Sequence, residues 1–221
     1  MAESRKKLYP ESKVELTPFV ARHYDQFLDL LSGGTYRRFI ARAINDLGLQ
    51  PDDSILDLGC GTGRNASLML KHLGPGGRIT GLDLLPEMKE QFERRFAGEP
   101  RVAFRQQKID VPFNLEEKFN LAFISFVLHG FPQEVRKIIL ENVVRHLKPG
   151  GRLAILDYAE FKLSDKPFFF RWVFKNFECS YALDFIEFDW EKILEEFGFQ
   201  VEGKKFYFRN YLRLLKAKLK S

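Results

Sequence analysis

The sequence predicts an α/β fold in which parallel strands alternate with helices, and three observations support this prediction. Short apolar runs and amphipathic stretches follow one another from residue 51 to residue 158, as repeated strand–helix units require. A glycine-rich turn at residues 59–63 joins the first apolar run to a helical pattern. The segments 75–83 and 149–157 both turn on Pro-Gly-Gly and then run through a strand to an aspartate. The carboxyl ends of several strands should therefore meet at one edge of a parallel sheet.

The spacing of apolar residues predicts the individual elements. Helical periodicity marks the helices, and short apolar runs bounded by Gly or Pro mark the strands. The predicted helices are residues 18–31, 36–47, 65–73, 87–96, 134–147 and 189–197. The predicted strands are residues 55–58, 78–82, 102–106, 120–128, 152–158 and 199–208, with 211–219 as a final strand or helix. Residues 1–50 are thus expected to form a helical addition in front of a single domain at residues 51–221.

Composition limits the class of protein. The 221 residues suffice for one α/β domain, and 45% hydrophobic and 29% charged residues indicate a globular chain. The net charge of +5 permits an anionic partner without requiring one. Because Cys60 and Cys179 cannot build a disulfide framework or a Cys/His metal site, we expect no metal and a reducing, cytoplasmic location. The polar start is unlike a secretory signal, and the apolar run 121–128 is too short to span a bilayer.

The glycine-rich turn and the aspartate before it indicate a ligand site. Asp57 interrupts the first buried strand, and Gly59, Gly61 and Gly63 follow at alternate positions. Arg64 occupies the third glycine position of a dinucleotide fingerprint, and the Gly-Lys-Ser/Thr of a P-loop is absent, so neither phosphate motif is complete. A carboxylate at the strand end favours a ligand with a cationic end. The alternative is a tight strand-to-helix turn in which glycine meets only steric needs.

This stretch resembles the first motif of the class I S-adenosylmethionine-dependent methyltransferases, Asp/Glu-x-Gly-x-Gly-x-Gly. Ordered motifs extend the resemblance over about residues 51–158, and residues 21–25, 30–34 and 36–39 are most similar to the branch of ubiquinone and menaquinone C-methyltransferases. The resemblance implies a Rossmann-like, seven-stranded, mostly parallel sheet with helices on both faces and an antiparallel C-terminal hairpin. It also implies S-adenosyl-L-methionine as the cofactor.

The resemblance further implies a set of cofactor-binding positions along the edge of the sheet. Asp83, at the end of the second strand, would accept the ribose hydroxyls, although it could instead cap the following helix. Leu84 would pack on the adenine. The adenine amino group would bond Asp110, with Gln107 and Lys108 as alternatives. The implied cofactor-binding residues are Tyr24, Asp57, Gly59, Cys60, Gly61, Thr62, Gly63, Asp83, Leu84, Ile109, Asp110, Ser125 and Phe126.

The acceptor is predicted only as a class of molecule. His129, after the fourth strand, is the candidate catalytic base, and packing within its loop is the alternative. An aromatic-rich segment at about residues 159–188, the lid segment, would cover the site. Such a cover suits a small apolar or aromatic acceptor, methylated at carbon or oxygen, of the quinone-precursor type. Candidates to line the acceptor pocket are Tyr24, Asp157, Tyr158 and Tyr181.

Three further interpretations stay open at this point. The basic balance would suit an RNA methyltransferase, but nucleic acid is disfavoured because no Asn/Asp-Pro-Pro-Tyr motif is present and Cys60 lies in the cofactor loop. A cofactor-binding protein without catalysis would fit as well.

Apolar residues almost all round the stretch 168–177 require burial or an interface. Together with the basic residues from Lys204 onward, they suggest contact with an anionic membrane surface.

Overall fold

The computed structural model of the protein describes residues 35–220, in which strands and helices alternate as expected. The strands are β1 (Ser54–Leu58), β2 (Arg78–Asp83), β3 (Val102–Gln106), β4 (Phe119–Ser125), β5 (Leu147–Tyr158), β6 (Phe199–Tyr207) and β7 (Leu212–Leu219). The α-helices are α1 (Thr35–Asp46), α2 (Arg64–Met69), α3 (Pro86–Arg95), α4 (Gln133–His146), α5 (Phe168–Phe177), α6 (Ser180–Phe185) and α7 (Trp190–Glu196). Short 3₁₀ turns are Leu70–His72, Leu128–Gly130 and Leu163–Asp165.

One seven-stranded sheet runs through the molecule in the order β3-β2-β1-β4-β5-β7-β6. Strands β1 to β5 are parallel, and β7 is antiparallel to both β5 and β6. The predicted mostly parallel sheet with an antiparallel C-terminal hairpin is confirmed. From β1 the chain builds outward to β3, and from β4 it builds toward the other edge. A crevice therefore opens at the carboxyl ends of β1 and β4, where ligands bind in sheets of this type.

Helices cover both faces of the sheet, and each face has its own apolar core. One core lies under α1, α2 and α3, and it buries Ile40, Met69 and Phe92. The other lies under α4 and the helices after β5, where Phe185 and Trp190 are fully buried. The lid segment therefore packs on the same face as α4, beside the carboxyl end of β5.

Three boundaries differ by more than two residues from the sequence-based expectations. The strand predicted at residues 120–128 ends at Ser125, because Phe126 adopts a left-handed backbone with φ of 55°. The 3₁₀ turn Leu128–Gly130 follows and carries His129. The strand predicted from residue 152 begins at Leu147, which pairs with Phe119. The helix predicted at 65–73 divides into α2 and a 3₁₀ turn.

Two expectations concern the ends of the chain. The stretch 211–219, left open between strand and helix, forms strand β7. The helix predicted at 18–31, and Tyr24 within it, lie outside the described residues.

Candidate active site

Three aspartates occupy one rim of the sheet. Asp57 lies next to the end of β1, Asp83 is the last residue of β2, and Asp157 lies next to the end of β5. Because these strands are parallel, their carboxyl ends point the same way. The crevice between β1 and β4 thus has carboxylates on both sides.

Hydrogen bonds to β2 hold the glycine loop in place. The amides of Gly59 and Cys60 donate to the Leu82 carbonyl at 2.8 and 3.0 Å. The Gly61 amide donates to Asp83 Oδ2 at 3.0 Å, and the Leu85 amide donates to Asp83 Oδ1 at 3.0 Å. A carboxylate oxygen can accept more than one hydrogen bond, so Asp83 can order the loop and also receive ligand hydroxyls.

Asp83 is not the N-cap residue of the following helix, which is the alternative that the sequence left open. The N-cap residue of α3 is Leu85, which has no side-chain cap. Burial raises the pKa of Asp83, while the backbone amides of Leu85 and Gly61 oppose that rise. Its carboxylate therefore links the glycine loop to the first residues after β2.

The three glycines of the loop meet different requirements. A Cβ atom at Gly59 would lie 2.5 Å from Val127, and one at Gly63 would lie 2.6 Å from Phe96. These two positions are glycine because neighbouring side chains fill the space. Gly61 has φ of +53°, and a Cβ there would meet only the Met88 sulfur, at 4.0 Å. The space in front of Gly61 is open, as a ligand cradle requires.

Asp57 is a buried carboxyl group with an unsatisfied oxygen. Its residue is 1% exposed, and Oδ2 has no hydrogen-bond partner among the described residues. Burial and the nearby Asp83 charge raise the pKa of Asp57 to about 7. An unpaired buried carboxylate is costly, so Asp57 is suited to pairing with a cation.

The end of β4 contributes a second unsatisfied oxygen and a strained residue. Ser125 Oγ is buried without a partner among the described residues. The left-handed conformation of Phe126 costs about 1–3 kcal/mol in a non-glycine residue, and such strain concentrates at functional sites. The Phe126 ring lies 6.5 Å from Tyr36 and 6.2 Å from Phe39, between centroids.

The residues expected around an adenine follow β2 and β3. Because Asp83 pairs with Gln106, the segment after β3 reaches the same rim as Leu84. Ile109 and Asp110 are buried, whereas Leu84 is 36% exposed. Asn142 of α4 donates to the carbonyls of Ile109 and Val111 at 3.1 and 2.8 Å, which fixes this segment.

His129 and Asp157 form a hydrogen-bonded pair on the β4–β5 side of the crevice. His129 Nδ1 lies 2.7 Å from Asp157 Oδ1, and the His129 backbone amide donates to Asp157 Oδ2 at 3.3 Å. The Asp157 side chain is fully buried, and the His129 side chain is 16% exposed. Burial lowers the pKa of His129, but Asp157, helped by Glu178, outweighs this effect and raises it. The second ring nitrogen of His129 makes no hydrogen bond to a described residue.

Two residues absent from the sequence-based prediction complete this cluster. Glu178 forms a hydrogen bond with the Tyr158 hydroxyl, whose pKa is raised by burial and by that carboxylate. Arg136 of α4 is fully buried and donates to the carbonyls of Leu128, His129 and Tyr181 at 3.0, 3.4 and 2.6 Å. Burial lowers the pKa of Arg136 to about 10, so its guanidinium stays charged at neutral pH.

The structure brings the predicted site residues together in two groups. One comprises the cofactor candidates at the ends of β1 and β2 and directly after β1, β2 and β3, namely Asp57, Gly59, Cys60, Gly61, Thr62, Gly63, Asp83, Leu84, Ile109 and Asp110. The other comprises Ser125, Phe126, His129, Asp157 and Tyr158, at the ends of β4 and β5. Tyr181 is placed differently, since its backbone carbonyl accepts from Arg136. A sequence signal for Arg136 existed, because it shares the helical spacing of buried Ile139, Leu140 and Val143.

Comparison with known proteins agrees with this geometry. The family described as "Methyltransferase domain" matches residues 55–151. Demethylmenaquinone methyltransferase from Lactobacillus johnsonii is 30% identical over 156 residues, covering 68% of this chain and 63% of the relative. The chloroplastic 2-phytyl-1,4-beta-naphthoquinone methyltransferase of Arabidopsis thaliana is 29% identical over 163 residues, covering 71% of this chain and 61% of the relative. The chain thus spans less than two thirds of these two relatives.

A solved structure supports the fold independently. The crystal structure of a SAM dependent methyltransferase from Aquifex aeolicus superimposes with a TM-score of 0.67. It is 19% identical and covers 93% of this chain and 100% of that one. At this level of identity, the similarity establishes the fold.

The strand order, the glycine loop and the rim of carboxylates define an α/β protein with a ligand crevice at the switch point of its sheet. The family match and the relatives make the assignment more specific. Residues 55–151 match the methyltransferase-domain family, and the chain is similar to class I S-adenosylmethionine-dependent methyltransferases of the branch that includes the quinone methyltransferases. The resemblance found in the sequence is confirmed.

Proposed function

We propose that the protein transfers a methyl group from S-adenosyl-L-methionine to a small apolar or aromatic acceptor of the quinone-precursor type, at carbon or oxygen. The observation that carries this proposal is the open space at the Gly61 position, whose amide donates to Asp83, in a loop that follows the buried Asp57 oxygen with no partner among the described residues. When bound, the cofactor supplies a methyl group activated by a positively charged sulfur. The names of the relatives, a demethylmenaquinone and a phytyl naphthoquinone methyltransferase, support the class of acceptor.

The chain has suitable groups for each part of this cofactor. Asp57 and the glycine loop would hold the cationic methionine end, since a carboxylate with an unsatisfied oxygen attracts a cation. Asp83 would accept from the ribose hydroxyls while retaining the Gly61 amide. Leu84 and Ile109 would enclose the adenine, with Asp110 at its edge. Ser125 Oγ and Phe126 would contact the cofactor from β4.

His129 would act as the general base, and Asp157 as its positioning residue. An Nδ1–H that donates to Asp157 leaves the lone pair of the other ring nitrogen, Nε2, available for a proton. A base contributes when the acceptor carries a hydroxyl or an acidic C–H that must lose a proton during transfer. In that role, Nε2 of His129 takes the proton, and Asp157 stabilises the resulting imidazolium.

Aromatic side chains support an apolar acceptor beside His129. The Tyr158 ring lies 5.1 Å from both the His129 and the Phe174 rings, between centroids. Phe185 adds a ring at 6.4 Å from His129. Since Phe174 and Phe185 belong to the lid segment, that segment would both cover the acceptor and exclude water.

The cofactor part of the proposal is tested by calorimetry with S-adenosylmethionine and S-adenosylhomocysteine. We expect micromolar binding to the wild type and a loss of about tenfold to a hundredfold for Asp83→Asn, because hydrogen bonds to a charged group are lost. The control is Asp52→Asn, which removes an exposed carboxylate at the opposite rim. Equal binding by the wild type and Asp83→Asn would show that Asp83 has no ribose contact, and absence of binding by the wild type would contradict the proposed function.

The acceptor part is tested with methyl-labelled cofactor and a panel of hydroxylated quinone precursors with and without isoprenoid tails. Mass spectrometry of the products reports which acceptor gains the label. We expect transfer to at least one aromatic acceptor. Tight cofactor binding with no labelled product across the panel would instead identify a cofactor-binding protein without catalysis.

A further inference from the structure

The first five residues of α5 include three large, exposed aromatic side chains. Phe168, Phe169 and Trp172, here called the aromatic patch, are 78%, 73% and 49% exposed. The rings of Phe169 and Trp172 stack with centroids 6.5 Å apart. Phe174 of the same helix is buried in the core, so α5 has an inner aromatic side and a separate outer one. A contiguous exposed apolar surface of this kind indicates an interaction site.

Basic residues flank the aromatic patch in the sequence. Within residues 160–178 the cations are Lys162, Lys166, Arg171 and Lys175, and the acids are Glu160, Asp165 and Glu178. Two of these acids are engaged on the inner side. Glu160 pairs with Arg213 at 2.7 Å and with Lys204 at 3.4 Å, and Glu178 bonds the Tyr158 hydroxyl. Around α5, residues 160–178 therefore present four cations against Asp165, whereas the exposed acids Asp184 and Glu187 lie further along the lid segment.

A groove of about 800 Å³ beside α5 extends the basic surface. Lys162, Arg171 and Lys175 line it together with the apolar Leu163 and Leu183. The acids Glu160 and Glu187 also line this groove, and Glu160 is held by its two cationic partners. Three cations therefore share this groove with apolar side chains and with the exposed Glu187.

The basic residues near the C-terminus have other roles. Lys205 pairs with Asp46 at 2.6 Å, and Lys216 donates to the Asp46 carbonyl at 3.0 Å. Lys204 bridges Glu160 and Glu191, and Arg213 is fully buried. These four side chains tie elements of the fold together, so they are engaged within the protein. Among residues 35–220, no helix is long and apolar enough to cross a membrane.

We propose that the aromatic patch docks the protein on the surface of an anionic lipid bilayer. Phe168, Phe169 and Trp172 would enter the headgroup region, where amphipathic aromatic side chains are favoured. Lys162, Lys166, Arg171 and Lys175 would contact lipid phosphates, which matches the positive charge of this surface. The aromatic patch shares no residue with the cofactor site, so this docking is independent of the proposed methyl transfer.

Vesicle co-sedimentation tests the electrostatic part. We expect the full chain to bind phosphatidylglycerol–phosphatidylcholine vesicles, to bind phosphatidylcholine vesicles weakly, and to be released by salt. Arg171→Gln/Lys175→Gln should weaken binding about thirtyfold, given about 1 kcal/mol per basic residue. The matched control is Lys71→Gln/Arg94→Gln, which removes the same charge from exposed residues on the other face of the sheet. If both double variants lose vesicle affinity equally, net charge explains the binding and the proposed docking surface is wrong.

Tryptophan fluorescence tests the aromatic part, because the chain has only two tryptophans. Trp190 is fully buried, so a change on vesicle addition reports Trp172. We expect a blue shift with anionic vesicles, lost in Trp172→Phe although that variant still sediments with them. The triple change Phe168→Ser/Phe169→Ser/Trp172→Ser should reduce vesicle binding at least about tenfold. Circular dichroism checks that each variant folds.

Three further results would overturn the proposal. Failure of the wild type to bind anionic vesicles would do so directly, as would an unchanged Trp172 emission in the bound protein. A dimer in sedimentation velocity that the triple serine change converts to a monomer, without vesicle binding by either form, would assign the patch to a second copy of the chain. None of these measurements involves cofactor or turnover, so their failure is separate from failure of the proposed function.

Discussion

Among single residues, ionised Asp57 is predicted to lower the stability of the fold and to favour ligand binding. Its pKa is raised from an ordinary value near 3.8 to about 7, so the folded chain favours the protonated form. The stability that this group contributes is present below pH 3.8 and is lost as the pH rises through about 7. Asp57→Asn cannot ionise, and above pH 7 we expect it to be more stable than the wild type by about 2–4 kcal/mol.

Thermal unfolding between about pH 5 and pH 9 measures this difference. The same substitution should weaken binding of S-adenosylmethionine, and wild-type affinity should rise with pH through about 7 as Asp57 ionises. Asp165→Asn, an exposed carboxylate in the lid segment, serves as the control for both readouts. Parallel pH profiles for the wild type and Asp57→Asn would contradict the prediction.

His129 and Asp157 are predicted to set the acidic limb of the rate profile. The base works in its neutral form, and Asp157 contributes to holding the pKa of His129 above its ordinary value. We therefore expect kcat/KM of the wild type to rise with pH through this raised pKa. Asp157→Asn should shift the acidic limb to lower pH and reduce kcat. His129→Gln should abolish the acidic limb.

Steady-state rates across the pH range, with cofactor saturating, give this result. The cofactor affinities of both variants should stay near that of the wild type, because neither residue belongs to the cofactor group. A rate profile in His129→Gln that keeps the acidic limb would exclude His129 as the base.

At the scale of elements, Arg136 joins α4 to the 3₁₀ turn of His129 and to α6. Its guanidinium donates to the carbonyls of Leu128, His129 and Tyr181 and lies 5.1 Å from the Phe185 ring centroid. Arg136→Met would leave these carbonyls without their donor. We expect a loss of about 3–5 kcal/mol in the free energy of unfolding, measured by urea denaturation.

The exposed Lys137 on the same helix provides the comparison. Lys137→Met should change the free energy of unfolding by less than about 0.5 kcal/mol. Arg136→Lys keeps the charge but loses the planar fork of donors, so we expect an intermediate loss. Equal stability of Arg136→Met and Lys137→Met would mean that the buried guanidinium does not hold these elements together.

The elements also show how far sequence patterns reach. Strand β3 was predicted with its observed bounds, 102–106, because flanking polar and Gly/Pro residues define short strands. The bounds of helices α5 and α6 could not be predicted from the sequence. Apolar residues lie almost all round the lid segment and hide the helical period. The strand predicted at 120–128 was too long, because the left-handed turn at Phe126 is a tertiary constraint with no local signal.

The residues of the candidate site likewise divide into those that the sequence predicts and those that only the structure reveals. The rim positions of Asp57, Asp83 and Asp157 followed from aspartates at the ends of parallel strands. The contact of Arg136 with α6, and that of Glu178 with Tyr158, depend on packing between segments distant in sequence. No periodicity within one element could have indicated these partners.

At the scale of the whole molecule, Asp46 ties the first described helix to the last hairpin. Its carboxylate accepts from Lys205 at 2.6 Å and from the Tyr207 hydroxyl at 2.8 Å, and its carbonyl accepts from Lys216 at 3.0 Å. Burial raises the pKa of Asp46, but the bonds from Lys205 and Tyr207 outweigh burial and lower it overall. The stability that it contributes is therefore present above its ordinary pKa and is lost as the pH falls through the lowered value.

We expect Asp46→Asn to destabilise the protein by about 1–2 kcal/mol at neutral pH, because two hydrogen bonds to a charged acceptor are weakened. The difference from the wild type should shrink in acid, where Asp46 is protonated in both folded and unfolded chains. Thermal unfolding at neutral and acidic pH gives this comparison, with Asp52→Asn as an exposed control. A difference that persists unchanged in acid would contradict the electrostatic account.

The buried guanidinium of Arg136 has a consequence for redesign of the acceptor range. One side chain holds the backbone of both the proposed base and the covering helix, through the carbonyls of His129 and Tyr181. If the lid segment of a homologue replaced the native one, the carbonyl at position 181 could shift. The Arg136 guanidinium would then lose that hydrogen bond. Chimeras should therefore exchange residues 128–136 and 159–188 together as one cassette, and single-segment swaps should express poorly.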